Sequence, residues 1–239
     1  MTVKLDFDSL RRALVAHERS QPAEVLPGLE RKDAAVLVAL RLGERPSVVL
    51  TARSSALREH SGELCFPGGK PQIDDGELAR TALREAQEEI GLDPTRVTVL
   101  GPMSAVPTAT SAYRLNPYLA VIEGDAPVEW ALSSEVDRVV ELSIEAFVRG
   151  EVRFRVTMFP WRGAEHPTPF FEVDERTVIY GATAYVLWEL FVLLATLGVA
   201  LPEPEVVPPP AWTHALVRRF RELEARLREG ARPAQNENG

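Results

Sequence analysis

Apolar and polar positions follow two rhythms along this chain, and each change of rhythm marks an element. Leu5, Phe7, Leu10 and Leu14 line one side of a short N-terminal element, partly helical. The runs "DAAVLVAL" (33–40) and "SVVLTAR" (47–53) are short, apolar and β-branched, which predicts two paired strands with "GERP" as the turn between them. "ELCFPGG" then runs as a brief strand into a Pro-Gly-Gly break. From Asp75 the period lengthens: Leu78, Ala79, Ala82, Leu83, Ala86 and Ile90 form a helical stripe, with Asp74 or Asp75 as N-cap and Gly91 as the closing residue. "RVTVLGPM", "YLAVIEG", "VVELSIEAFV" and "VRFRVTMF" read as further strands, the third turning into a short helix at "SIEAFV". A long helix, "YGATAYVLWELFVLLATLG", follows. Strands, helix, strands, helix in that order predict an α/β (α+β) fold, a mixed β-sheet sandwiched between helices and not a doubly wound repeat.

Three regions are expected: an N-terminal helical extension over 1–32, the main domain over 33–201, and a C-terminal region over 202–239. The last opens with "PEPEVVPPP", which cannot be a helix or a central strand and reads as an extended linker. Trp212, Leu216, Phe220, Leu223 and Leu227 then share one side of a charged helix before the polar, flexible tail "RPAQNENG".

The apolar stretch 182–201 approaches the length that spans a bilayer. Glu189 near its middle and the lack of flanking Lys or Arg clusters argue against a span, which leaves a core helix or a subunit contact. A homodimer is expected, assembled partly through the helix around 188–197 or through the terminal helix, because large apolar patches rarely stay exposed on a monomer.

Composition narrows the partners. A net charge of −8 over 239 residues disfavours nucleic acid, whose phosphate backbone needs a basic surface. Cys65 is the only cysteine, so no intrachain disulfide forms, and the N-terminus lacks a signal-peptide pattern. Both point to the cytoplasm.

One stretch breaks the rules of helix design. In "REAQEEIG", Glu85, Glu88 and Glu89 stand at i, i+3 and i+4 on the last turns of the helix, where like charges repel and the helix dipole disfavours anions. A divalent cation is the simplest offset, and carboxylate oxygens suit Mg²⁺ or Mn²⁺. Arg84 can orient these carboxylates, while "FPGGK" supplies Gly68 and Gly69, whose backbone can approach a metal or phosphate, and the cationic Lys70. Taken alone, E-x-x-E-E also fits a solvated, glutamate-rich surface.

The context changes that balance. "GG...REAQEEIGL" resembles the Nudix box, in which a Gly, five residues, a Glu and seven residues precede R-E-U-x-E-E-x-G-U, U being apolar. Gly69, Arg84, Glu85, Glu88, Glu89, Gly91 and Leu92 match, with Ala86 small at the first apolar position. The interval from Gly69 to Arg84 is one residue longer than the pattern, and the early Glu falls between Asp75 and Glu77, where Gly76 sits. Which of the two acidic residues replaces it stays open.

"LTARSSALREHSGELCFPGG" resembles the signature that precedes the box in coenzyme A pyrophosphatases of the Nudix superfamily, through Thr51, Arg53, Ser54, Arg58, Gly62, Phe66, Pro67, Gly68 and Gly69. The resemblance implies a metal-dependent hydrolase that cleaves coenzyme A or its acyl derivatives to 4′-phosphopantetheine and 3′,5′-ADP. Glu85, Glu88, Glu89 and the Gly69 carbonyl are then the metal ligands, and the general base is either Glu85 or a Glu from the later loops. Arg53 and Arg58 suit the phosphates, since Arg makes bidentate phosphate contacts; the plainer reading is surface ion pairs with Glu59 or Glu63. His60 reads as a hydrogen-bonded histidine, not a ligand. Another Nudix substrate, such as ADP-ribose, NADH or a nucleoside triphosphate, would keep the helix and change the pocket. A non-catalytic Nudix-fold binding module is a third reading.

Overall fold

The Asp6 side chain accepts the Ser9 amide at 2.9 Å and so starts α1 (Phe7–Ala16), which buries Leu10 and Leu14. The computed structural model describes residues 5–19, 31–55, 62–108, 112–124, 129–161, 164–200, 202–214 and 218. Arg58, His60 and most of the expected terminal helix lie outside the described residues.

The two apolar runs become β1 (Lys32–Arg41) and β2 (Ser47–Arg53). They pair antiparallel only beside their turn, at Leu40↔Val48 and Arg41↔Ser47. Beyond it "ELCFPGG" lies between them, with β3 (Leu64–Cys65) bonded to β2 and β4 (Gly68–Gly69) to β1. The two glycines, read in the sequence as a break, are therefore strand residues. A Cβ at Gly68 would stand 2.3 Å from the Ala35 carbonyl oxygen, an approach that only glycine permits.

β5 (Val97–Pro102), β6 (Val106–Pro107), β7 (Tyr113–Ile122) and β8 (Val136–Ser143) complete this sheet. β7 runs parallel to β1 from Lys32↔Tyr113 to Arg41↔Ile122, and the other pairings are antiparallel, so the sheet is mixed. α2 (Leu78–Ile90) covers one face, where Ala82, Ala86 and Ile90 share a core with Ala35, Leu37, Ala39 and Ala120. Small side chains on both surfaces bring helix and strands close together. The opposite face holds α1, α3 (Ile144–Val148) and α4 (Gly181–Thr196) around Leu10, Val38, Leu50, Phe171 and Leu190. A second sheet, β9 (Arg153–Trp161), β10 (Ala164–Glu172), β11 (Val178–Ile179) and β12 (Glu205–Val207), adds Phe171 and Ile179 to that side. A mixed sheet between helices is what the patterning predicts.

Two expectations change. α2 begins at Leu78, and neither Asp74 nor Asp75 caps it: residues Ile73–Asp75 form a 3-10 turn, Gly76 takes φ +70°, and Glu77 occupies the N-cap without a side-chain bond. Gly91 does close the helix, at φ 69°, with its amide on the Gln87 carbonyl. The linker is extended, but its middle pairs with β9 as the edge strand β12, parallel at Val206↔Val156.

α4, the first of the two expected dimer elements, packs Ala184, Leu187, Leu190, Phe191 and Leu194 inside its own chain and leaves Val192 exposed. Glu189, in the middle of this helix, accepts the Ser104 amide at 3.0 Å and hydroxyl at 2.7 Å, and lies 3.1 Å from His17 Nε2. A half-buried carboxylate is thus satisfied by the loop after β5 and by the end of α1. No helix among the described residues is long and apolar enough to cross a membrane. The other dimer element, the terminal helix, falls largely on 215–239, outside the described residues except for Arg218.

Candidate active site

The stripe that seats Ala82, Ala86 and Ile90 against the sheet turns Glu85 and Glu89 toward β4. The Gly68 amide donates to Glu89 Oε2 at 3.2 Å. A Cβ on Gly69 would lie 2.5–2.6 Å from the Glu85 carboxyl atoms, so glycine is needed for that carboxylate to lie against the strand.

Arg84 ties the helix to the turn before it. Its Nε and Nη2 donate to Asp75 Oδ1 and Oδ2 at 2.8 and 3.0 Å, Nη1 to Glu88 Oε2 at 3.0 Å, and Nη2 also to the Lys70 carbonyl at 3.0 Å. Glu85 Oε1 lies 3.0 Å from the same Nη2. Asp75, only 7% exposed, further accepts the Gln72 amide at 2.8 Å and the Thr81 hydroxyl at 2.9 Å. The hydrogen bonds from Arg84, then that from Gln72, hold the Asp75 carboxyl far below the usual carboxylate range. Asp75, not Glu77, is therefore the acidic partner of Arg84, a role whose pairing partners lie nine residues apart and are joined only by the 3-10 turn.

Glu89 is placed otherwise. Burial is the main cause that pushes its carboxyl up to about 7; the charges of Glu85 and Glu135 add to it, and the Gly68 amide and Arg53 oppose it. Burial also raises Glu85, against Arg84. Arg53, the last residue of β2, lies near enough to Glu89 for its charge to act there, and its Nε is buried without a hydrogen-bond partner among the described residues. Lys70 is exposed, with Nζ 5.4 Å from the centre of the Tyr113 ring, and makes no ion pair with the glutamates among the described residues. Glu135, in the turn before β8, carries no signal in the sequence; the segment it follows is bound to the helix end by the Ser133 amide on the Glu89 carbonyl at 2.9 Å. Arg53, Lys70, Gly68, Gly69, Arg84, Glu85, Glu88 and Glu89 thus border one region, and Arg58 lies outside the described residues.

The sequence model of the NUDIX domain matches residues 31–176, which contain this helix, the glycine pair and the Asp75 turn. The chain belongs to the Nudix family. "Nudix hydrolase 22, chloroplastic" of Arabidopsis thaliana is 34% identical over 189 residues, covering 77% of this chain and 62% of that protein's length. An uncharacterized Nudix hydrolase, NudL of Cronobacter sakazakii, is 32% identical over 183 residues, covering 76% of this chain and 93% of the relative. Among solved structures, a MutT/nudix family protein from Enterococcus faecalis is 13% identical with a TM-score of 0.47, covering 80% of this chain and 70% of the other. As a Nudix hydrolase this protein belongs to enzymes that cleave pyrophosphate bonds, generally with a divalent cation such as Mg²⁺ or Mn²⁺.

In kind, the donors fit such a cation: two hard carboxylates kept partly from water, and a backbone bare of Cβ beside one of them. Among the described residues no three acidic, His or Cys side chains already stand at ligand spacing, and Glu88 is turned onto Arg84. A ligand set that includes Glu88 requires it to leave Arg84.

These environments predict a pH dependence in metal-free protein. The Glu89 carboxyl, about 7 when folded against an ordinary value of 4.5, makes the folded state bind more protons than the unfolded state between those values, so stability falls as pH rises through that window. With chelator present, Tm is expected to drop by a few degrees between about pH 5 and about pH 8, and Mg²⁺ to raise Tm more at the higher pH, because bound ligands must be deprotonated. Scanning calorimetry checks this; a Tm that rises across that interval would contradict the assignment.

Proposed function

We propose that this Nudix hydrolase cleaves the diphosphate of coenzyme A and its acyl derivatives, giving 4′-phosphopantetheine and 3′,5′-ADP, in the cytoplasm. The observation that carries the reading is Arg53: a half-buried cation whose Nε is buried with no hydrogen-bond partner among the described residues, close enough to the acidic helix for its charge to reach Glu89, within the segment "LTARSSALREHSGELCFPGG" that resembles coenzyme A pyrophosphatases. A donor left unpaired away from water is costly unless a ligand completes it, and phosphate oxygens suit guanidinium.

Glu85, Glu88, Glu89 and the Gly69 carbonyl would hold Mg²⁺ or Mn²⁺. When bound, the cation supplies charge neutralisation of the diphosphate and a water of lowered pKa. Arg84, fixed on Asp75, orients Glu85 and would release Glu88 to the cation. Gly68 donates its amide to Glu89 and steadies it against the strand. Glu85 on the helix, or Glu135 before β8, whose charge reaches Glu89, would take the proton of the attacking water. Arg53 binds phosphate; Arg58 and Lys70 are assigned to the same role on the charge of their side chains.

Two measurements test the substrate. In a panel of coenzyme A, ADP-ribose, NADH and nucleoside triphosphates with Mg²⁺, the highest kcat/KM is expected for coenzyme A, and a preference for another member would overturn the assignment. Arg53→Ala is expected to weaken coenzyme A more than dephospho-coenzyme A, since a hydrogen bond to a charged group contributes roughly 1.5–3 kcal/mol. Equal losses would move Arg53 from the 3′-phosphate to the diphosphate.

A further inference from the structure

We propose that Tyr180 is a positioning residue for Arg53, an inference that rests on the reading of Arg53 as a phosphate ligand. Tyr180 lies between β11 of the second sheet and α4, as the N-cap residue of that helix. Its hydroxyl donates to Glu63 Oε1. Its ring is stacked on the Trp212 indole, with centroids 4.9 Å apart and planes at 29°, and Phe170 meets the same indole edge-on at 5.4 Å. Trp212 is held in turn: Thr213, 2% exposed, donates its hydroxyl to the Pro210 carbonyl at 2.6 Å, and β12 is joined to β9 by its ladder and by Arg155 on Glu205 at 3.2 Å. The phenol is therefore fixed by a packed aromatic group, and its polar end meets Glu63.

Glu63 leads to Arg53 through the backbone. The Arg53 amide donates to the Glu63 carbonyl at 3.1 Å, and the Gly62 amide donates to the Arg53 carbonyl at 3.0 Å. On the other edge of β2 the register with β8 shifts between Ala52 and Arg53, so the regular ladder ends where the aim of this side chain is set. With Nε bonded to nothing among the described residues, no side-chain partner fixes that aim at this nitrogen. The backbone pairing does, and Tyr180 anchors the segment that makes it. The second sheet and the proline-rich strap thereby gain a function: they brace the phosphate-binding arginine.

A double-mutant cycle on the full chain separates this role from a merely structural one. Tyr180→Phe keeps the stacked ring and loses the hydroxyl; it is expected to raise KM for coenzyme A about 5–20-fold with kcat within about two-fold of wild type, the pattern of lost binding shared by ground and transition states. Glu63→Gln, which keeps an acceptor oxygen, should stay near the wild-type KM. In an Arg53→Ala background, Tyr180→Phe should add nothing further. An unchanged KM in Tyr180→Phe overturns the proposal, as does the same KM increase on top of Arg53→Ala. If wild type prefers ADP-ribose, the coenzyme A reading falls, and the same cycle run on ADP-ribose still decides on Tyr180.

Discussion

Glu89→Gln is expected to lower kcat by at least about 10²-fold while Tm at about pH 8 stays level or rises. The two effects have one source. Burial pushes the Glu89 carboxyl up to about 7, with Glu85 and Glu135 adding repulsion, so the charged form is tolerated at that pH only at a cost to the metal-free fold. Glutamine keeps the shape and an oxygen for the Gly68 amide, and it removes that cost. It also removes an anionic oxygen from the proposed cation site. Kinetics at limiting Mg²⁺ with a parallel melting curve test both halves. Wild-type kcat in this variant would take Glu89 out of the ligand set.

Asp75→Asn is expected to lower kcat/KM about 10–100-fold and to lower Tm, whereas Glu77→Gln leaves both near wild type. Asp75 carries four hydrogen bonds, from Gln72, Thr81 and twice from Arg84, and is almost wholly buried. Asparagine cannot offer two oxygens to the guanidinium fork, so one amide N–H must face a donor. Arg84 would then lose its anchor on the turn, and with it the orientation of Glu85 and Glu88. Steady-state kinetics and melting of the two variants check this; a larger loss from Glu77→Gln would reverse the assignment.

Much of this site is legible in the sequence because helix periodicity is local. The spacing of Glu85, Glu88 and Glu89 against Ala82, Ala86 and Ile90 fixes which carboxylates leave the core face, and the structure keeps that division. β1 and β2 are equally plain, since their β-branched runs need no distant partner to be recognised. What the sequence hid depends on contacts across the chain. Asp75 reads as a helix cap until Arg84, a helical turn and more beyond it, is seen to occupy its carboxylate. Gly68 and Gly69 read as a break because strand propensity ignores the close approach to Ala35 that excludes any side chain. β10 contains Pro167 and Pro169, which argue against a strand; they are tolerated where β11 covers only Phe171 and Glu172, so one edge of β10 has no ladder to lose at the prolines. Val206, in the middle of the proline-rich strap, pairs with β9 for the same reason: an edge strand needs hydrogen bonds on one side only. Arg53 stands out in the sequence by resemblance, but its proposed dependence on Glu63 and Tyr180, residues 117 apart, has no local signal.

Product identification tests the central claim most directly. The full chain, incubated with coenzyme A and Mg²⁺ or Mn²⁺ and analysed by mass spectrometry, is expected to give 4′-phosphopantetheine and 3′,5′-ADP in equal amounts, with no product when chelator is present or when Glu89→Gln replaces the wild type. Intact coenzyme A after prolonged incubation with either metal, or cleavage that persists in chelator, would contradict the account.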